Sequence, residues 1–219
     1  MSQEFETKKQ SLIHRPFKYS YFHATFYVII LNLVVFLLTY IFPKLQYILS
    51  LNAGLIIYRK MFWQFFTYMY VHHGVSHIIF NMLGLLIFGT ALEKAVGSKE
   101  FLLFYTVCGV LSGFLSFVVY YFTGSYRTML AGASGAIYAV LFAYAVCFPN
   151  SKLYIWGLIP IQAPVLVLIY TVIELVEQFF TYSNVAHMTH LFGFLAAWLY
   201  FLIRMRIRPF KVWKEYLRK

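Results

Sequence analysis

Six apolar windows of about the length that crosses a bilayer recur in this chain, at residues 22–42, 75–94, 101–122, 133–149, 160–180 and 186–204. The hydrocarbon core of a bilayer is about 30 Å thick and offers no water to backbone polar groups, so spanning it takes about 20 apolar residues wound as a helix. Hydrophobic residues make up 62% of the chain and charged ones 11%, whereas a soluble domain carries about a quarter charged residues. The expectation is an all-α, polytopic membrane protein. One domain of six transmembrane helices would occupy 22–204, between an N-terminal segment, 1–21, and a basic tail, 205–219.

Two stretches depart from a plain series of spans. The connection from Pro43 to Gly74 is aromatic and amphipathic, so it should lie in the membrane interface, where Trp63, Tyr68 and Tyr70 are well placed. The fourth window is short for a full crossing. It can start below the surface only if the loop before it is buried in protein or faces water.

The net charge of +11 raises the question of nucleic acid, yet seven of the 18 basic residues fall in the tail from Arg204 to Lys219 and most others flank apolar runs. That distribution is topological, and no nucleic-acid partner is expected. With six crossings, Lys8, Lys9, Arg15, Lys18, Lys94, Lys99, Lys152 and the tail share one side, against Lys44, Arg59, Lys60 and Arg127 on the other. Both termini should therefore be cytoplasmic, with the start of the fourth helix toward the extracytoplasmic face. Residues 1–20 show no short apolar core or cleavage site, so they do not read as a secretory leader. Cys108 and Cys147 sit inside apolar runs and read as small core residues. No internal repeat stands out, which speaks against a transporter built from inverted halves.

Polar residues interrupt the apolar pattern at a few points. Ser134 stands between Gly132 and Gly135 at the start of the fourth window, where two glycines weaken the helix by about 1 kcal/mol each. Something must come close to the backbone there. His77 and Asn81, four apart, share a face of the second helix, with His72 one turn further out. His187 and His190 share a face of the last helix, and Gly193 and Ala197 continue the face of His190. Asn and His also serve as hydrogen-bonding glue between membrane helices, and Glu174 and Glu177 in the fifth window are either buried acids or water-facing groups.

A serine hydroxyl needs a base within hydrogen-bond reach to become a nucleophile. The small residues around Ser134 and the Gly193/Ala197 ridge beside His190 would let two helices approach closely enough to join hydroxyl and imidazole. The chain has no aspartate and no glutamate in the neighbouring motif segments, so a Ser–His dyad fits better than a triad. His77, Asn81 and the Ser134 amide could donate to an oxyanion.

These residues resemble the rhomboid family of intramembrane serine proteases. The family's Gly-x-Ser-Gly motif appears as Gly132-Ala133-Ser134-Gly135, and its catalytic histidine with glycine three residues on as His190-Leu191-Phe192-Gly193. Its His-x4-His-x3-Asn signature appears as His72, His77 and Asn81, and the likeness runs from about residue 60 to 204. Tyr138 matches the tyrosine that packs on the catalytic histidine, and Glu93, in "GTALEKAVGS", matches a structural position. "FWQFFTY" resembles the Trp-Arg motif of the first loop with Gln64 in place of arginine, which puts a loop-anchoring salt bridge in doubt, and Ala197 stands where glycine is frequent. His187 competes for the catalytic assignment, but only His190 has small residues at both +3 and +7.

The resemblance implies an intramembrane serine endopeptidase of a bacterial inner membrane. It would cut the transmembrane segments of single-span membrane proteins, admitted from the lipid bilayer between the second and fifth helices, beside small residues, with no cofactor and no metal. Activity should fall as acid protonates the base. The rival readings are a catalytically inactive, client-binding relative and a haem or metal protein using His72, His77, His187 and His190. The latter has no His-Glu-x-x-His or Cys-rich ligand set and leaves the glycines around Ser134 unexplained.

Overall fold

The computed structural model describes residues 17–155, 158–180 and 184–218; Lys8, Lys9 and Arg15, assigned above to one side of the membrane, lie outside them. The described residues are mostly helical, and the polytopic all-α class holds. Helix α1, Ala24–Ile41, buries Ala24, Thr25, Val28, Asn32 and Thr39 along one stripe and turns the rest of its apolar surface outward. An outward apolar surface of that extent suits lipid, not water. Helix α5, Val75–Gly84, continues through a π-helical turn, Leu85–Gly89, into α6, Thr90–Val96. Helix α7, Ser98–Phe122, follows.

Among the described residues, four segments are long and apolar enough to cross a membrane, Ala24–Ile41, Val75–Val96, Ser98–Phe122 and His187–Met205. Helix α8, Ser134–Cys147, is a shorter apolar helix of 14 residues. Ten of those are buried, on every side of the helix, so it forms the centre of the bundle. Helices α9, Ala163–Phe180, and α10, Asn184–Tyr200, complete the bundle, α10 running on through a π turn at Phe201–Met205.

The structure corrects the fifth window at its start. Residues 159–162 are strand β2, Ile159–Gln162, which pairs antiparallel with β1, Lys152–Ile155, and α9 begins only at Ala163. Apolarity alone does not separate a buried strand from a helix turn, and Pro160 suits an edge strand while Pro164 suits the first turn of a helix. The basic tail also acquires structure. It folds as helix α11, Pro209–Leu217, and its Trp213 is buried against Phe142 with the indole N–H donating to the Ala145 carbonyl at 3.0 Å.

The connection Pro43–Gly74 contains α2, Pro43–Leu49, α3, Ala53–Arg59, and α4, Gln64–Thr67, followed by a 3-10 turn at Tyr68–Tyr70. Gln64, standing at the arginine position of the resemblance, is fully buried. Its carbonyl accepts the Asn52 N–H at 3.0 Å and its amide donates to the Ile48 carbonyl at 3.0 Å. The loop is thus anchored by neutral hydrogen bonds where a salt bridge was in doubt. Leu51 and Leu130 exchange backbone hydrogen bonds of 2.9 Å, and the Asn52 amide donates to the Thr128 carbonyl at 2.9 Å. The connection therefore covers the segment leading into α8, which meets the condition for a short helix starting inside the bundle.

At the opposite end two buried acids tie helices together. The Glu93 carboxylate accepts the N–H groups of Ala24 and Thr25, at 2.6 and 2.9 Å, and the hydroxyls of Thr25 and Ser98. The first two donors are the unpaired amides that open α1, so Glu93 caps a helix remote in sequence. Glu100 pairs with Arg204 and accepts the Tyr200 hydroxyl, joining α7 to the end of α10. We expect Glu93→Ala to strand buried donors and to lower stability by on the order of 3 kcal/mol, read as the thermal midpoint of the detergent-solubilised protein.

Candidate active site

Ser134 is the first residue of α8, and each glycine near it makes room for a different neighbour. Gly132 has φ +128°, and a Cβ there would lie 2.7 Å from His77 Nε2. A side chain at 132 would be strained by its backbone and would displace the His77 ring. A Cβ at Gly135 would press on Thr189 and Ser112, at 3.0 and 3.1 Å. A Cβ at Gly193 would fall 2.2 Å from the Gly135 carbonyl oxygen, which no packing adjustment of a side chain relieves. Helices α8 and α10 therefore meet backbone to backbone just where Ser134 and His190 project.

The result is a hydrogen bond of 2.8 Å between His190 Nε2 and Ser134 Oγ. Tyr138, one turn along α8, lies flat on the imidazole with ring centres 4.1 Å apart and planes 10° from parallel. His187 is turned away from the serine, toward α9. His72 lies apart from the pair. It is buried, its Nε2 faces the Ala133 N–H at 3.5 Å, and its ring meets His77 edge-on at 5.0 Å. Burial, reinforced by the nearby His77, pushes the His72 imidazole down from 6.5 to about 4. It stays neutral at physiological pH and serves to hold the loop before Ser134, together with the Gly132 N–H, which donates to the Tyr68 carbonyl at 3.0 Å.

The expectation of a pair without an acid is corrected. Glu174 of α9, only 4% exposed, places its Oε1 2.8 Å from His190 Nδ1. The same oxygen accepts the Tyr138 hydroxyl, and Oε2 lies 2.6 Å from His187 Nδ1. Exposed Glu177 approaches the same His187 nitrogen at 3.3 Å. One signal in the sequence pointed here. Glu174 and His190 are equidistant in sequence from the segment between α9 and α10, so two antiparallel helices close in sequence bring them to one level. Glu177 and His187 form the next such pair.

Ser134, His190, Tyr138, His77 and Asn81 line one open cavity of about 540 Å³, with Tyr170 and other mostly apolar side chains of α5, α8 and α9 as its walls. The Asn81 amide donates to the His77 carbonyl at 2.7 Å, which uses one of its two N–H bonds. Glu174, His187 and His190 also offer three potential metal-ligand atoms within 4.8 Å of one another. Those same atoms lie within hydrogen-bond distance of one another, Glu174 Oε1 at 2.8 Å from His190 Nδ1 and Oε2 at 2.6 Å from His187 Nδ1. Cys108 and Cys147 are free and stand apart from this cluster as core residues.

A half-buried serine–histidine pair at the start of a central helix, inside a bundle of apolar helices, is an arrangement suited to nucleophilic chemistry within a polytopic protein. Residues 59–207 match the rhomboid domain, and the chain belongs to the rhomboid family. It is an integral membrane protein. It is 33% identical over 137 residues to Rhomboid protease GluP of Bacillus subtilis (strain 168), a match covering 53% of this chain and 26% of that protein. Putative rhomboid protease YdcA of the same organism is 29% identical over 139 residues, covering 63% and 64%. The human mitochondrial presenilin-associated rhomboid-like protein is 33% identical over 131 residues, covering 58% and 33%. The matched stretch spans less than two thirds of each relative's length.

His72 gives the site a pH signature of its own. Between pH 6.5 and about 4 the unfolded chain takes up a proton that the folded one refuses, so stability falls as the pH drops through that window, by up to about 3 kcal/mol. His72→Gln keeps an acceptor for Ala133 and removes the titration. Thermal unfolding followed from pH 7 to about pH 4 is expected to be less acid-sensitive in this variant than in the wild type.

Proposed function

We propose that this chain is an intramembrane serine endopeptidase that cleaves the transmembrane segments of single-span membrane proteins. The observation carrying this reading is the 2.8 Å contact between His190 Nε2 and Ser134 Oγ. A client segment enters from the bilayer between α5 and α9 and unwinds into the cavity. The Ser134 Oγ–H proton passes to His190 Nε2 as Oγ bonds to the scissile carbonyl carbon, giving a tetrahedral oxyanion. His77, the second N–H of Asn81 and the Ser134 amide, one of the unpaired donors that open α8, receive that charge. Collapse breaks the C–N bond and His190 returns the proton to the leaving amine. Water, deprotonated by His190 in turn, hydrolyses the Ser134 ester and restores the free hydroxyl.

The distribution of basic residues supports cytoplasmic termini and a site facing the extracytoplasmic side of the membrane. The pairing of hydroxyl and base also weighs against an inactive client-binding relative, which has no need for an aligned proton acceptor.

The test is cleavage of a model single-span substrate by detergent-purified protein. Ser134→Ala and His190→Ala are each expected to reduce the rate at least about a thousandfold. A fluorophosphonate should label Ser134 in the wild type and fail to label Ser134→Ala. Cleavage that survives either substitution removes that residue from its role.

A further inference from the structure

We infer that Glu174 is a positioning residue for His190, a carboxylate on α9 that orients the imidazole toward Ser134 and fixes its tautomer. The inference rests on the protease reading above and deepens it at the same site.

A carboxylate only accepts hydrogen bonds, so its contact with Nδ1 requires the imidazole proton to sit on that nitrogen. Nε2 is left with a lone pair, and that lone pair faces the Ser134 hydroxyl. The other tautomer would present a proton to the hydroxyl and accept nothing from it. Glu174 therefore selects the one form of neutral His190 that can act as a base.

Three features make the carboxylate a fixed reference point. It is buried, so bulk water does not compete for its lone pairs. Its two oxygens are held separately, Oε1 by the Tyr138 hydroxyl from α8 and Oε2 by His187 Nδ1 from α10. The Tyr138 ring then covers the face of the imidazole it helps to orient. The titratable groups around Glu174 are His190, His187 and Tyr138, with Tyr170 beside Tyr138 and Glu177 reached through His187. When Ser134 gives up its proton, His190 becomes a cation with the Glu174 carboxylate already on its far nitrogen. No proton moves to Glu174; its charge is simply in place when the cation forms.

The bland alternative is that Glu174 only fastens α9 to its neighbours. Glu174→Gln separates the two, because it keeps shape and one acceptor oxygen but loses the charge and donates where the carboxylate accepted. With the model single-span substrate, it is expected to lower kcat by on the order of a hundredfold with little change in KM, since the loss falls on the chemical step. The rate of fluorophosphonate labelling at Ser134, which needs no substrate entry, should fall in parallel. Glu174→Asp retains the charge one methylene further back and should recover part of both rates. A Glu174→Gln enzyme that cleaves and labels at the wild-type rate overturns the inference. So does a loss confined to KM, or one that follows thermal stability and is not partly restored by aspartate. If Glu174→Gln does not fold, the aspartate variant decides: reduced kcat and labelling at unchanged stability support the role, and wild-type rates overturn it. Cleavage that persists in Ser134→Ala or His190→Ala defeats the protease reading itself. Loss of cleavage there beside a fully active Glu174→Gln defeats only the positioning role.

Discussion

The contact between Gly193 and the carbonyl of Gly135 sets the geometry on which the site depends. Helix axes in ordinary packing stay roughly 8–10 Å apart because side chains keep them there. Here neither helix has a side chain at the crossing, so α8 and α10 close until backbone meets backbone. Ser134 lies one residue before Gly135 and His190 one turn before Gly193, so the approach of the two backbones becomes the approach of hydroxyl and imidazole. The same crossing brings Thr189 to the Ser116 hydroxyl of α7 at 2.7 Å, locking a third helix to the pair. A methyl group at 193 would act on the serine without touching it.

How much of this was legible depends on the range of the interaction. The residues of the pair could be read from the sequence because the cause is local: glycines mark a close approach, and i, i+3 spacing marks a face. The division of labour among the glycines was not legible. Gly132 serves His77 rather than the helix crossing, and only a positive φ and a ring 2.7 Å from its missing Cβ reveal this. The role of Glu174 is not readable, because an acid on a helix says nothing about which neighbour it meets. The pairing needs α9 and α10 to lie antiparallel at one level, a tertiary fact hidden in equal sequence distances from their connection. The hairpin at 152–162 escaped for the opposite reason, since its apolar residues satisfy a strand and a helix equally well. Helix α11 read as a charged tail until the burial of Trp213 showed what its apolar face covers.

Acidic residues are scarce in this chain, seven glutamates and no aspartate, and three of those among the described residues are buried where helices must be joined. Glu93 gathers the open amides of α1, Glu100 holds Arg204 and Tyr200, and Glu174 collects Tyr138, His187 and His190. Hydrophobic packing gives little preference for one helix neighbour over another when lipid is as apolar as the interface. A buried carboxylate does discriminate, because an acceptor left without donors in such surroundings is strongly unfavourable. Each glutamate thereby fixes one register: α1 on α6, α7 on α10, and α9 on α8 and α10.

That third register gives α9 two duties which constrain each other. Its Leu166 and Tyr170 line the cavity beside α5, and Glu174, one turn further along, holds His190. A helix free to swing outward would widen the cavity but carry the carboxylate away from the imidazole. A helix fixed in place would keep the base aligned and narrow the way in. The contacts favour the second arrangement. Tyr138 and His187 grip α9 at the level of Glu174, the Tyr138 ring also meets that of Tyr170 with centres 5.9 Å apart, and Ala163, Leu166 and Val167 are buried at the start of the helix. Alignment of the base is thus secured along the whole segment that lines the cavity, and a wider cavity would have to be opened against that packing.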